Sequence, residues 1–281
     1  MLIHTSRFIL FFTRENIIYI EERWFFLKIL LNLHSVIHTK HPNILTYISL
    51  PPASTGSRGL SFFLAMEEYV AQHLKQLDEC FFLWQVNPTV IIGRNQVLEN
   101  EVNLPYCREH GIDIVRRKSG GGGVYADKDN VMFSFICSRT HDITTPEVFS
   151  YYLQRTVDLL SSFGVEACVT DHNDILIGER KVSGWAVYQL QDRIIVHGTM
   201  LYDTNMDHML ASITPPAEKL RRKGVESVRQ RICLLKDFIG GRVSLKEFKV
   251  CAREFFCGDK EYMLTEDDVT HIAKLSAEYE M

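Results

Sequence analysis

The fold of this chain is decided by the stretch Arg116-Arg117-Lys118-Ser119-Gly120-Gly121-Gly122-Gly123-Val124-Tyr125-Ala126-Asp127, in which four consecutive glycines follow two arginines. Glycine lacks a Cβ atom, so such a run can adopt positive φ and let a ligand approach the backbone closely. The backbone N–H groups can then converge on phosphate or carboxylate oxygens, and arginine adds a planar pair of donors for the same anions. The run is therefore a candidate anion-binding loop, with a plain surface turn as the structural alternative.

The segments on either side of the glycine run have the composition of strands. Residues 112–115 lead into the run, and residues 131–136 after it are apolar on both faces, as in a central buried strand. The predicted local order is strand, glycine loop, strand. A P-loop requires Gly-Lys-Ser/Thr entering a helix, and the dinucleotide fingerprint requires a strand followed by a helix. Both of these phosphate-binding motifs are therefore excluded.

Farther from the run, helical and strand periodicities mix along the chain. Helices are predicted over residues 61–77, 104–110 and 145–163, and strands over 46–50, 80–86, 89–92 and 165–169. In the first helix, apolar side chains take one face, and Glu67 and Glu68 are assigned to the opposite face. After residue 213, helices are predicted over 214–223 and 225–238. Capping-box residues at Ser244 and Thr265 predict two further helices.

A second polar stretch, Asn173-Asp174, opens a predicted β-hairpin that turns at Gly178-Glu179. Simple strand alternation places Lys181, Ser183 and Trp185 on one face of the returning strand. A lone lysine in a hairpin is usually a solvated charge on an edge strand. The polar pair across the hairpin makes Lys181 a candidate functional residue instead.

Charge and cysteine usage limit the classes of partner and compartment. A formal net charge of −4 and an isoelectric point of about 6.3 provide no general attraction for nucleic acid or for an anionic membrane surface. The seven cysteines are scattered and form no CxxC pair. That pattern is typical of reduced thiols in the cytoplasm and not of a disulfide framework or a zinc site.

The chain is predicted to have three parts. Residues 1–44 form an N-terminal extension of uncertain structure, residues 45–241 the main domain, and residues 242–281 a short helical C-terminal tail. Charged residues interrupt the apolar stretches of the extension, so none approaches the roughly 20 apolar residues that a membrane span requires. The extension also matches neither a signal peptide nor a transit peptide.

Several separated motifs together resemble the lipoate-protein ligase family. They are Gly93-Arg94-Asn95-Gln96, Arg116-Arg117-x-Ser119-Gly120-Gly121-Gly122, Asn173-Asp174, Lys181-Val182-Ser183-Gly184 and His197-Gly198-Thr199. Their order and spacing match, and the resemblance covers roughly residues 46–235. It implies an α/β (α+β) catalytic domain with mixed or antiparallel sheets flanked by helices, a fold shared with biotin-protein ligases.

The resemblance also implies an activity and its partners. ATP and lipoate would give lipoyl-AMP with Mg²⁺, and a lysine of a lipoyl carrier domain would then accept the acyl group. The expected carriers are the 2-oxoacid dehydrogenase complexes or the glycine cleavage H protein. Larger members have an accessory domain where this chain has about forty residues after position 241. The expectation is that the chain works without that domain or with a separate accessory subunit.

The roles of individual residues follow from the same resemblance. Lys181 is the expected catalytic group, Arg94 and Arg117 are expected to bind the carboxylate or phosphate end, and Tyr125 and Trp185 are expected to wall the acyl chain. Asp174 is expected either to hold Mg²⁺ or to orient Lys181. The remaining expected binding residues are Ser119, Gly120, Gly121, Gly122, Gly123, Asn173, Ser183, Gly184, His197, Gly198 and Thr199.

The chain departs from the family pattern at two positions, and its sequence leaves three alternative functions to weigh. Ala126 and Val196 stand where the family commonly has histidine. One alternative is a lipoyl or octanoyl transferase that uses a preformed acyl donor, with Cys168 as nucleophile. A biotin ligase is disfavoured because the loop is Ser-Gly-Gly-Gly. The non-enzymatic alternative is an acyl-adenylate or carrier-binding module, for which we would expect Lys181 to be replaced.

Overall fold

The computed structural model describes residues 44–54, 56–140, 142–214 and 231–280. The predicted N-terminal extension, apart from residue 44, and the helix predicted over 214–223, apart from residue 214, lie outside the described residues. Residues 225–230 of the helix predicted over 225–238 lie outside them too, and its described part is helical at Leu235–Phe238.

The strands and helices are numbered in chain order. The strands are β1 (Thr46–Ser49), β2 (Glu79–Trp84), β3 (Thr89–Ile92), β4 (Asp113–Arg116), β5 (Val124–Ala126), β6 (Asn130–Ser138), β7 (Cys168–Val169), β8 (Asp174–Ile177), β9 (Arg180–Gln189), β10 (Arg193–Leu201) and β11 (Glu261–Met263). The helices are α1 (Leu60–His73), α2 (Leu98–Glu101), α3 (Leu104–Glu109), α4 (Thr145–Ser162), α5 (Met206–Ser212), α6 (Leu235–Phe238), α7 (Leu245–Cys257) and α8 (Glu266–Leu275). Short 3-10 turns occur at Pro52–Ser54 and Ser276–Tyr279. β7 is shorter than the predicted strand 165–169.

Two sheets position the site. In the described part of the chain, the larger sheet has eight strands in the order β11-β1-β2-β6-β10-β9-β8-β7. It is antiparallel from β2 to β7, and β1 pairs in parallel with both of its neighbours. The smaller sheet has the order β4-β3-β5. β2 and β3, although joined at Asn87-Pro88 as predicted, therefore belong to different sheets. The predicted α/β fold with mixed and antiparallel sheets is confirmed.

Helices cover both faces of the larger sheet, so its central strands β6 and β10 are buried along nearly their whole length. On one face Phe133 and Phe135 of β6 pack with Phe256 of α7 and with α4. On the other face, residues such as Ile136 pack against α1. Full burial of an aromatic or aliphatic side chain contributes about 1.5–3 kcal/mol, so this two-sided core stabilises the strands that carry the site.

Three of the described helices begin with a capping box. Thr144, Ser244 and Thr265 each accept a hydrogen bond from the backbone N–H three residues later, and the acidic side chain at that position bonds back. These reciprocal bonds satisfy N–H groups that have no partner inside the helix. Both capping boxes predicted after residue 241 are confirmed.

The C-terminal segment is part of the same packed unit. α7 buries Phe248, Phe255 and Phe256 in the main core, and β11 pairs with β1 at the edge of the larger sheet. The segment predicted as a helical tail thus also contains a strand. The proposed boundary after residue 241 does not coincide with a break in packing.

Among the described residues, every helix is too short or too polar to cross a lipid bilayer.

Candidate active site

A cavity of about 370 Å³ opens between the glycine loop (residues 117–123), the start of β9 and the C-terminal half of β10. One part of its wall is apolar and comes from α1 and both sheets, namely Leu64, Trp84, Ile91, Val124 and Met132. The lining also includes Asp174, Lys181 and Arg231. An apolar chamber with a few convergent polar groups is typical of small-molecule sites, and here it suits a chain with an anionic end.

Arg117 holds the glycine loop in shape. Its Nε and Nη2 donate to the carbonyl oxygen of Gly120 at 3.0 and 2.7 Å, and Nη2 also donates to the carbonyl of Gly122 at 2.9 Å. Nη1 donates to the carbonyl of Ile91 at 3.3 Å. Burial lowers the pKa of Arg117 to about 10, so the side chain remains a cation at neutral pH. Arg117 lines the cavity, as predicted. Its N–H groups were expected to bind a carboxylate or phosphate, but they donate to the carbonyls of Gly120 and Gly122 and so hold the loop together.

Gly93 lets the loop approach the end of β3. A Cβ atom on Gly93 would overlap the carbonyl oxygen of Gly121 and lie 2.9 Å from its carbonyl carbon. Gly121 itself has φ +96°, which only glycine adopts readily. The backbone N–H of Arg94 donates to the carbonyl of Ser119 at 3.0 Å, whereas the side chain of Arg94 is exposed and does not line the cavity. The predicted motif therefore supports the loop through its backbone.

A β-bulge turns Lys181 toward the cavity. Ile175 pairs with Ser183 and Leu176 pairs with Lys181, so Val182 is an extra residue on β9. The extra residue reverses the alternation of side chains, and Lys181 shares a face with Gly184 instead of with Ser183. A Cβ atom on Gly184 would overlap Nζ of Lys181. The predicted grouping of Lys181 with Ser183 and Trp185 is wrong for this reason.

Asp174 lies between two cations. Nζ of Lys181 is 2.7 Å from its Oδ1, and Nη2 of Arg231 is 3.4 Å from its Oδ2. The backbone just after Arg231 is held beside β9, because the N–H of Cys233 donates to the carbonyl of Lys181 at 2.9 Å. Asp174 is 8% exposed, and burying a carboxylate is costly unless it is paired, as it is here. The two cations in turn are held where an anionic ligand would meet them.

A Mg²⁺ site made of protein groups alone does not fit these residues. Asp174 is the carboxylate among the residues that line the cavity, and each of its oxygens faces a cation. No group of three metal-ligating side chains occurs in the described ranges. Mg²⁺ is commonly held by one or two carboxylates together with substrate phosphates. These residues would therefore fit Mg²⁺ only together with substrate phosphates, and Asp174 would be the protein ligand.

Asn173 directs its segment into the cavity through an unusual backbone conformation. It has φ +63°, a left-handed value that asparagine tolerates better than other non-glycine residues. Its carbonyl accepts the N–H of Trp185 at 3.1 Å, and its own N–H donates to the carbonyl of Thr170 at 3.1 Å. The strained residue is thus fixed on both sides, as is common at binding sites.

His197 belongs to a buried chain of hydrogen bonds that joins the glycine loop to α1. Its Nδ1 is 2.8 Å from Oε2 of Glu67, and its Nε2 is 2.7 Å from Oγ of Ser119. The other oxygen of Glu67 accepts from Ser134, whose Oγ accepts from the indole N–H of Trp84 at 2.8 Å. A carboxylate oxygen accepts from an Nδ1–H group, and the tautomer with that hydrogen accepts from the hydroxyl of Ser119 at Nε2. His197 thus connects Glu67 of α1 with Ser119 of the glycine loop.

The structure brings most of the predicted site residues together. Those that line the cavity are Arg117, Gly120, Gly121, Gly122, Gly123, Asn173, Asp174, Lys181, Gly184, Trp185, His197, Gly198 and Thr199. Ser119 and Ser183 are buried beside it.

Other predicted positions lie away from the cavity or point away from it. Tyr125 is completely buried in the core beneath the smaller sheet. The ring of Trp185 packs on Phe133 and Phe135 and over Gly198, on the opposite face of the larger sheet. The side chain of Trp84 takes the place that the sequence prediction gave to these two aromatics.

The two positions that depart from the family pattern are core residues. Ala126 and Val196 are both 0% exposed and pack in separate hydrophobic clusters.

Sequence reasoning missed Glu67 and Arg231. Glu67 was assigned with Glu68 to the polar face of α1, yet they are 3% and 6% exposed. α1 packs between the larger sheet and α8, so it has little solvent-facing surface. Two adjacent glutamates in an otherwise apolar helix were the available signal. Arg231 lies far from the glycine loop in sequence and carried no motif in the prediction.

The fold and the cavity define an α/β protein with a small-molecule cavity that a glycine loop, a lysine and several apolar side chains line together. The profile of the lipoyl protein ligase A/B catalytic domain matches residues 60–257. The chain belongs to this family.

Named relatives and solved structures agree with that assignment. The chain is 38% identical over 217 residues to lipoate–protein ligase 1 of Staphylococcus aureus, covering 76% of this chain and 65% of that protein. It is 36% identical over 222 residues to the lipoate-protein ligase LplJ of Bacillus subtilis, covering 76% of this chain and 66% of that protein. The chain therefore spans slightly less than two thirds of the length of these curated relatives.

Two solved structures share the fold. A bi-partite lipoate protein ligase from Thermoplasma acidophilum, studied with its E2 lipoyl domain, has a TM-score of 0.69 and 27% identity over 83% of this chain and 92% of that one. A lipoate-protein ligase A bound with ATP has a TM-score of 0.70 and 25% identity over 84% of this chain and 95% of that one.

Proposed function

We propose that this chain is a lipoate-protein ligase that activates lipoate with ATP to lipoyl-AMP and transfers the lipoyl group to a lysine of a carrier domain. The observation that carries the proposal is the cluster of Lys181, Asp174 and Arg231 on the wall of a cavity that apolar side chains also line. The glycine loop lines the same cavity. Family membership and the ligase names of the relatives support the same reading.

The site residues suit both chemical steps. In the first step, the lipoate carboxylate attacks the α-phosphorus of ATP and pyrophosphate leaves, so negative charge grows on the phosphate oxygens. Preorganised donors lower the barrier of such a step, and Lys181 with the glycine-loop N–H groups can provide them. In the second step, the acceptor amine attacks the acyl carbonyl and AMP leaves. Lys181 can then stabilise the carbonyl oxygen, and Arg231 the departing phosphate.

Substrate orientation follows from the two kinds of wall. The apolar side chains Leu64, Trp84 and Met132 would hold the acyl chain, and His197 with Ser119 would flank its carboxyl end. Mg²⁺ would arrive with the ATP phosphates and use Asp174 as protein ligand, where it would neutralise phosphate charge. Exclusion of water by the loop would protect the mixed anhydride from hydrolysis.

Carrier domains of 2-oxoacid dehydrogenase complexes or the glycine cleavage H protein are the proposed acceptors. The Thermoplasma ligase is described with an E2 lipoyl domain, which supports the first of these. That ligase is also described as bi-partite, which supports a separate accessory subunit for the activation step. A cytoplasmic location is proposed from the scattered cysteines of the sequence.

The decisive experiment mixes pure protein, a lipoyl-domain acceptor, lipoic acid and Mg-ATP, and measures acyl addition by mass. We expect the acceptor to gain one lipoyl group. Addition with supplied lipoyl-AMP but not with free acid and ATP would reduce the function to transfer. No addition in either case, with an acceptor that a known ligase modifies, would contradict both enzymatic functions and favour the binding module.

Replacing Cys168 with serine is expected to leave lipoyl transfer within twofold of the unmodified protein. Cys168 is exposed on the short edge strand β7 and does not line the cavity. A thioester nucleophile must reach the acyl carbonyl, which requires a position within the site. The measurement is the rate of acyl addition with lipoyl-AMP and with an octanoylated carrier as donors. Complete loss with either donor would establish the cysteine-dependent transferase.

A further inference from the structure

The C-terminal 3-10 turn contacts the glycine loop through Lys118. Nζ of Lys118 donates to Oε2 of Glu278 at 2.9 Å and to Oε2 of Glu68 at 2.7 Å. The same ammonium lies 4.7 Å from the centre of the Tyr279 ring. Burial lowers the pKa of Lys118, but the bonds to Glu68 and Glu278 outweigh this and raise it overall. Lys118 is therefore a cation held between α1 and the chain's C-terminal turn.

Glu68 joins three separate segments. Besides Lys118, its Oε2 accepts from the hydroxyl of Tyr279 at 2.7 Å, and its Oε1 accepts from Nε2 of Gln72 at 3.0 Å. Glu68 and Tyr279 are 6% and 4% exposed. Burial, and then the bond to Glu68, raise the pKa of Tyr279 well above its ordinary value, so the hydroxyl remains a donor. A buried carboxylate with charged and neutral donors is a strong local constraint.

The neighbouring residues make a matching contact. Glu67 precedes Glu68 in α1, and Ser119 follows Lys118 in the loop, with His197 bridging Glu67 to Ser119. Two consecutive glutamates of one helix thus hold two consecutive residues of the loop. These are the residues that lead directly into Gly120, so their position sets where the glycine amides lie.

We propose that Glu68 and Tyr279 are positioning residues that hold the glycine loop ready for the nucleotide phosphate, with the C-terminal turn as a support for the loop. The kinetic part of this inference rests on the proposed function, and the structural part does not. Neither side chain lines the cavity, so both act through Lys118.

The structural test compares Tyr279→Phe and Lys118→Met with the matched control Tyr69→Phe. Tyr69 donates to Oδ1 of Asp268 at 2.5 Å and so ties α8 to α1 without contacting the loop. A hydrogen bond to a charged group contributes about 1.5–3 kcal/mol, so amide exchange over residues 118–123 is expected to accelerate about tenfold or more in the first two variants. Tyr69→Phe should leave exchange in the loop unchanged, and equal acceleration in all three variants would overturn the proposal.

The kinetic test separates positioning from loss of folded protein. Tyr279→Phe and Lys118→Met are expected to raise KM for ATP about tenfold, because the loop must first be reordered at the cost of that hydrogen bond. Lys118→Arg keeps the charge and should restore KM to within about threefold. A fall in kcat with unchanged KM and unchanged loop exchange would indicate a merely structural role. If the unmodified protein shows no ATP-dependent transfer, the proposed function fails, and loop exchange alone still decides the positioning role.

Discussion

Replacing Lys181 with methionine is expected to lower kcat for ATP-dependent lipoylation by about 10²–10³-fold, the usual effect of removing one preorganised donor to a developing anion. Methionine keeps the apolar stem and removes the ammonium that faces Asp174 at 2.7 Å. The fold should survive, because Asp174 retains Arg231 as a cationic partner. The effect should therefore appear in catalysis and not in the yield of folded protein.

The measurement is single-turnover acyl addition, run once with lipoate and ATP and once with lipoyl-AMP. Both steps should slow, since the proposed mechanism uses the same ammonium for the phosphate and the carbonyl. Lys236→Met is the matched control, because Lys236 forms an exposed ion pair with Asp203 and neither residue lines the cavity. It should change neither rate. A Lys181→Met variant with nearly normal rates in both assays would show that Lys181 is a structural partner of Asp174 and would move the catalytic role to Arg231.

The sequence predicted the elements that bear the site but not the orientation of every side chain. Glycine runs, capping boxes and apolar periodicity are local signals, and they correctly located the loop, the hairpin and most helices. The bulge at Val182 has no such signal, because the register of β8 against β9 is fixed by pairing across the sheet. Simple alternation therefore grouped Lys181 with the wrong neighbours on β9, although Lys181 does line the cavity.

Long-range packing explains the other differences. Glu67 and Glu68 look like solvent-facing residues of an amphipathic helix until β6 and β10 are placed against Glu67, and the glycine loop and the C-terminal turn against Glu68. Arg231 reaches Asp174 where the chain at Ile232 pairs with Lys181 at the start of β9. Arg94 likewise contacts the glycine loop, but through its backbone N–H, which donates to Ser119. Its side chain, which was expected to bind the substrate, is exposed. Each difference depends on contacts between residues far apart in sequence.

Replacing Gly198 with alanine is expected to destabilise the protein by about 1–3 kcal/mol, the range for forcing an extra methyl group into a packed core. A Cβ atom at this position would overlap the indole ring of Trp185 on the adjacent strand, with Cε2 and Cε3 both only 2.5 Å away. The ring cannot retreat easily, because it packs against Phe133 and Phe135. For a domain of this size, each kcal/mol lowers Tm by about 2–4 °C.

Thermal unfolding of Gly198→Ala beside Gly56→Ala tests this expectation, since a Cβ atom on Gly56 would meet no atom within 4 Å. The control should change stability by less than about 0.5 kcal/mol, as surface substitutions usually do. A double-mutant cycle then isolates the cause. If the overlap with the indole is responsible, Gly198→Ala should cost much less in a Trp185→Leu background, with a coupling energy of about 0.5–3 kcal/mol between the two sites. An equal cost in both backgrounds would place the strain in the backbone of β10, and Trp185 would then not be the reason that this position, beside His197 on the cavity wall, is glycine.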